Sequence, residues 1–189
     1  ATPTGDPIAA PRQVDLGGPW ERATTNGLDG THGSWVPFQV PDSDDPGLEL
    51  VDVAGHSDQE YNLTWSPDLR ARDLDLEVRV QRIDGVEDQG GGPAWRVQGP
   101  DDYYVARWNP LEHNYRLYVV EDGFRHELDS ASVYVEKDGW HVLRVRMVGD
   151  EITCWLDGHE QLRVVDDTHP GAGAVGLWTK ADARTRFAE

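Results

Sequence analysis

The chain has one cysteine in 189 residues, Cys154, and only two lysines, Lys137 and Lys180. A lone thiol has no intrachain disulfide partner and cannot supply the clustered thiolates of a structural zinc site. Packing must therefore hold the fold together. Long apolar runs are missing as well: nothing approaches the roughly 20 residues with which a helix crosses a bilayer, so no membrane insertion is expected. Basic residues number 17 against 35 acidic ones, a formal charge of −18. Such a surface repels phosphates, which argues against nucleic acid as a partner.

Catalytic and metal signatures are also scarce. His32, His56, His113, His126, His141, His159 and His169 show neither H-x-H nor H-E-x-x-H spacing, so no transition-metal centre is expected. There is no G-x-S-x-G nucleophile elbow and no phosphate-cradling glycine loop; Gly90 to Gly92 read as a tight bend. No cofactor is expected. Asp42, Asp44 and Asp45, between Pro41 and Pro46, offer the hard oxygens that a structural calcium takes, but an acidic turn is the preferred reading.

What the sequence does have is alternation. In Leu74, Leu76, Val78 and Val80 the apolar residues fall on every second position, with Asp75, Glu77, Arg79 and Gln81 between them; Leu143, Val145 and Met147 repeat the pattern. Asp-Gly pairs at 84–85, 122–123, 138–139 and 157–158 sit between such runs and supply the positive φ of tight hairpins. No stretch has the 3.6 period of a substantial helix. The expectation is one all-β domain over residues 16–189, two antiparallel sheets packed face to face. The first forty residues, rich in Gly and Pro, are expected to wrap the sandwich irregularly. Residues 1–15 read as a flexible linker of the kind left behind a removed signal peptide, which would place the protein in the periplasm or outside the cell. Oligomeric state is not legible.

Building the hairpins puts specific residues on specific faces. A loop at Gly99 to Asp102 pairs Gln98 with Tyr103 and Arg96 with Val105. A loop at Pro110 to His113 pairs Asn109 with Asn114 and Arg107 with Arg116. The Asp122-Gly123 turn pairs Glu121 with Phe124, Leu117 with Leu128 and Arg116 with Asp129. These registers send Trp95, Val97, Tyr104, Ala106, Trp108, Tyr115 and Leu117 to the core. Arg96, Tyr103, Arg107, Asn109, Asn114, Arg116 and Tyr118 face away. Like charges directly opposite on a sheet destabilise it, so Arg107 beside Arg116 calls for an anion, with Asp129, Glu112 and Asp182 as candidates. One reading is an ion-pair network. The other is a sugar groove, because planar Arg and Asn groups donate to ring hydroxyls and Tyr supplies a flat wall. Trp178, Lys180 and Asp182 share a face of the last strands and join the candidate lining, as does Gln89. A separate alternation, Asp73, Asp75 and Glu77, would put carboxylates about 7 Å apart on one face, a spacing like that of laminarinase-type glycosidases but also like an ordinary solvated strand.

The runs DQGGGPAWRVQGPDDYYVARWNPLEHNYRLYVVEDGFR, DGWHVLRV and GAVGLWTKADARTRF, together spanning Asp88 to Phe187, resemble the 3-keto-disaccharide hydrolase domain family of bacterial exported proteins. The resemblance implies a concanavalin A-like jelly roll and a link to glycosides oxidised at the sugar 3-position. It supplies no catalytic list. The functional expectation is an exported domain that binds, and in one version hydrolyses, a di- or oligosaccharide or its 3-keto derivative. A non-catalytic carbohydrate-binding module and a laminin-G-like adhesion domain are the alternatives.

Overall fold

The computed structural model describes residues 14–16, 18–27 and 33–189. Its strands are β1 (Glu21–Thr24), β2 (Ser34–Gln39), β3 (Pro46–Val51), β4 (Tyr61–Ala71), β5 (Leu74–Asp84), β6 (Gly92–Gly99), β7 (Asp102–Asn109), β8 (Asn114–Glu121), β9 (Phe124–Ser132), β10 (Trp140–Val148), β11 (Glu151–Leu156), β12 (His159–Val165), β13 (Gly173–Lys180) and β14 (Arg184–Ala188). The helical content of the described residues is one 3-10 turn, Thr25–Gly27. Two seven-stranded antiparallel sheets form: sheet A in the order β1-β4-β13-β6-β7-β8-β9 and sheet B in the order β12-β11-β10-β5-β14-β3-β2. The expected all-β sandwich is therefore present. The first forty residues are more regular than expected, since β1 and β2 are edge strands of the two sheets. The linker reading of residues 1–15 falls almost wholly outside the described residues.

The alternating patterns bury one side of each sheet. Val78, Val80, Leu143, Val145 and Met147 from sheet B meet Trp95, Tyr104, Ala106, Trp108, Tyr115 and Leu117 from sheet A in the core between the sheets. Two of the four Asp-Gly pairs make hairpins: Asp122-Gly123 joins β8 to β9, Asp157-Gly158 joins β11 to β12, and all four residues have positive φ. The other two do not. Asp84-Gly85 leaves β5 in sheet B for β6 in sheet A, and Asp138-Gly139 makes the reverse crossing from β9 to β10. A chain that changes sheets needs a longer connection than a two-residue turn.

Sheet A has a second apolar layer on its outer face, where Leu63, Ala94, Val97, Tyr103, Val105, Tyr118, Val120, Ala174 and Trp178 pack together. The guanidinium of Arg125, on edge strand β9, lies 4.4 Å from the Tyr118 ring centre and 4.8 Å from that of Tyr61 on β4. β9 and β4 stand five strand spacings apart in the sheet, about 24 Å if it were flat. Side chains cannot span that distance, so sheet A curls with its outer face on the inside. The outer face of sheet A is thus a concavity.

Candidate functional site

β7 and β8 present the polar end of this concavity. Arg107 pairs with Arg116 and Asn109 with Asn114, in the expected register. The opposition of the two arginines is resolved by an acid between them: Glu112 lies 2.8 Å from Arg107 Nη2, 3.5 Å from Arg116 Nη1, and accepts from Asn114 Nδ2 at 2.9 Å. Arg107 Nη1 reaches a second acid, Asp88, at 3.0 Å. Asp88 also accepts from Asn109 Nδ2 at 2.9 Å and from the backbone N–H of Gln89 at 2.8 Å, with Lys180 Nζ 3.5 Å away. Burial pushes the Asp88 carboxyl above its ordinary value despite the opposing pull of Arg107 and Lys180. For Glu112 partial burial pulls upward too, but the Asn114 hydrogen bond and the two arginines outweigh it and hold the carboxyl below its ordinary value.

Asp88 was not singled out in the sequence. It lies in the sheet-to-sheet connection, where no register argument reaches. The connection is pinned by Asp182, whose carboxylate accepts from the backbone N–H groups of Val86, Glu87 and Asp88 at 2.8, 3.0 and 3.1 Å. Asp182 therefore sits beyond the end of β13 as a clip, while Trp178 and Lys180 point to the outer face of sheet A as expected. Gln89 is a clip as well, donating to Gly85 O and accepting from Arg82 Nε. The glycines that follow serve close approach as much as bending: a Cβ on Gly91 would overlap the Trp178 carbonyl oxygen, and one on Gly92 that of Ala106.

Other expected lining residues lie elsewhere or are covered. Arg96 does not face Val105; Ala94 does, and Trp95 faces Tyr104. The ladder slips between Trp95 and Gly99 because Arg96 adopts a φ of +47°, a bulge that turns Val97 to the outer layer and takes Arg96 out of the row. Its guanidinium is fully buried and donates to the carbonyls of Arg72, His169 and Gly149 at 2.8, 2.8 and 2.6 Å. A second bulge, between Leu117 and Tyr118, shifts the β8–β9 register by one: Arg116 pairs with Ser130 and Leu117 with Asp129. The carboxylate that β9 brings to Arg116 is then Glu127, at 3.3 Å. Tyr103 and Trp178 are fully buried, joined by a hydrogen bond from Trp178 Nε1 to Tyr103 Oη at 2.9 Å, and Thr25 Oγ1 closes over the tyrosine at 2.8 Å.

The Asp73, Asp75, Glu77 row is not a carboxylate pair on a binding face. Asp73 precedes β5 and accepts from Gly149 N, and Asp75 bonds both arms of Arg144 on the outer face of sheet B. Of the acidic turn, Asp45 is taken by Arg79 at 2.6 Å. Among the described residues no three His, Cys, Asp or Glu side chains converge as metal ligands, and no helix is long and apolar enough to cross a membrane.

Two seven-stranded sheets around one core, with a polar concavity on one outer face, define a concanavalin A-like jelly roll. No protein-family model matches the chain, and no curated protein sequence matches it. Among solved structures it is similar to the carbohydrate-binding module CBM66 from Bacillus subtilis, at 18% identity over 89% of this chain and 91% of that one, with a TM-score of 0.66. It is also similar to a lichenase, a β-1,3-1,4-glucanase from a mouse hindgut metagenome (14% identity, 89% of each chain, TM-score 0.54). A Bacillus licheniformis β-glucanase shows the same architecture (11% identity, 89% of this chain and 88% of that one, TM-score 0.51). Likenesses at these identities establish the fold.

Proposed function

We propose that the chain is a carbohydrate-binding domain that takes a neutral di- or oligosaccharide at the polar end of the sheet A concavity. One observation carries this reading. Arg107 Nε, a donor, and Asn114 Oδ1, an acceptor, are buried without a partner among the described residues, although leaving such groups unpaired costs about 1–3 kcal/mol each. Both belong to the row that flanks the half-exposed Glu112. A hydroxyl both donates and accepts, so sugar hydroxyls match the chemistry of each of these two groups. Sugars offer hydroxyls in abundance. Charge supports a neutral ligand: Arg107, Arg116 and Lys180 are balanced by Asp88, Glu112 and Glu127, and the chain as a whole carries −18. An anionic sugar gains nothing from such a site. The carbohydrate-binding module and glucanases of the same fold agree with this reading.

Calorimetric titration with trehalose, lactose and short cello- and laminari-oligosaccharides tests it. Binding is expected for at least one series. Glu112→Gln is expected to weaken it about tenfold or more, the range for a lost charged hydrogen bond, with the melting temperature little changed. Wild-type protein that binds none of these sugars at millimolar concentration refutes the assignment.

A second reading, cleavage of a 3-keto-disaccharide, is favoured by the acid pair itself. One guanidinium brackets two carboxyls whose environments drive their proton affinities apart, Asp88 upward and Glu112 downward, as acid and base pairs require. A 3-ketone acidifies the neighbouring C–H. Glu112, ionised and reachable, would remove that proton to give an enolate that Arg116 or Lys180 stabilises; the enolate would expel the glycosidic oxygen, which takes the proton back from Glu112, and water would then add to the resulting enone. Incubation with 3-keto-lactose is expected to release monosaccharide if this holds. Tight binding without release leaves the domain a binding module.

A further inference from the structure

We propose that Tyr134 and His113 form a second subsite, a stacking platform for the next sugar ring along the same glycan; this rests on the polar-end reading above. β9 ends at Ser132, which pairs with Asn114. The alternation of faces continues past the strand end. Val133 is buried in the inter-sheet core and Val135 packs against it, so Tyr134, between them, points to the opposite side, the side of Ser132 and Asn114. There it is 80% exposed. Its ring is nevertheless placed: it stacks on His113 with ring centres 5.2 Å apart and planes inclined at 26°.

The support beneath the platform is fixed at several points. Val133 N donates to His113 O at 2.9 Å, tying the two segments together next to the rings. His113 holds a φ of +54°, a conformation that side-chain-bearing residues adopt at a cost and only when surroundings impose it. Asn109 Oδ1 accepts from Leu111 N at 2.9 Å and Glu112 N at 3.2 Å, shaping the turn that delivers His113. One face of the tyrosine is thus occupied by the imidazole and the other is open to solvent. An exposed aromatic ring stacked on His113, the neighbour of Asn114 in the chain, is suited to the apolar C–H face of a neutral sugar, while the hydroxyls of the adjoining unit reach Glu112 and Asn114. The site then reads at least two consecutive units.

The test uses the full chain and whichever oligosaccharide series of the panel above binds, from the monosaccharide to the tetrasaccharide. Wild-type affinity is expected to rise about tenfold between one unit and three or four. Tyr134→Ala is expected to flatten that rise without changing monosaccharide affinity, and Tyr134→Phe to preserve it, because stacking uses the ring and not the hydroxyl. Glu112→Gln, by contrast, is expected to weaken every length alike. In nuclear magnetic resonance the His113 ring signals are expected to shift with the tetrasaccharide and not with the monosaccharide. A wild-type affinity independent of length, or a Tyr134→Ala variant that tracks wild type at every length, overturns the platform while leaving the polar site standing. Failure of every length to bind overturns both.

Discussion

Replacement of Arg107 by Ala is expected to cost stability on the order of 3 to 5 kcal/mol, the range for a buried ion pair that loses one partner. The guanidinium is 2% exposed and fills the space between Asp88 and Glu112. Without it the buried Asp88 carboxylate keeps the Asn109 and Gln89 donors and a lysine 3.5 Å away, and its burial is otherwise uncompensated. The deficit depends on pH. Burial already raises the Asp88 value in the folded state. A raised carboxyl contributes stability that is fully present below its unfolded value and is lost as pH rises through the folded one. Removing Arg107 raises it further, so the variant's deficit should be larger at neutral pH and shrink in acid, below about pH 4. Urea midpoints at several pH values measure this. Adding Asp88→Asn to the variant is expected to recover part of the loss and to weaken that pH dependence, leaving the part that comes from Glu112, which Arg107 also holds below its ordinary value. Equal midpoints for wild type and Arg107→Ala at neutral pH would contradict the arrangement. The consequence for binding studies is practical: Glu112, reachable from solvent, is the cleaner probe.

The arginines show how far alternation and turn chemistry reach. Periodicity of two gave the sandwich, and the Asn109–Asn114 and Arg107–Arg116 pairings followed from loop length alone, because a strand pair joined by a short loop has few alternatives. Both registers that missed did so at a bulge. At Arg96 a non-glycine residue takes positive φ, which no composition rule anticipates; the gain is a three-carbonyl hydrogen-bond set that brings together the ends of β4, β10 and the segment before β13. Those partners are far apart in sequence. Asp88 escaped for a related reason, since its place depends on a connection crossing from one sheet to the other. Tyr134 was invisible because its exposure beyond the strand end is set by Val133 and Val135, whose burial emerges only with the core assembled.

Arg96→Ala is the second large effect, and it separates scaffold from site. The side chain has no exposed surface, and its loss leaves the carbonyls of Arg72, Gly149 and His169 without the donor that satisfied them, plus a cavity the length of the side chain. Hydrogen bonds to a charged group contribute about 1.5–3 kcal/mol each, non-additively. A total loss on the order of 4 kcal/mol is expected, enough to leave a small domain marginal. Arg96→Lys should recover only part of it, because an ammonium cannot direct donors to three divergent carbonyls as the planar fork does. Arg116→Ala, at a position one-third exposed with Glu112 and Glu127 as partners, should change stability by no more than about 1 kcal/mol. Denaturant melts of the three variants side by side test the ordering. If Arg96→Ala were as stable as Arg116→Ala, the three-carbonyl clamp would not be holding the loops together. Where Arg96→Lys remains folded, its sugar affinity per folded molecule is expected to equal that of wild type, since Arg96 has left the row of side chains that faces the concavity.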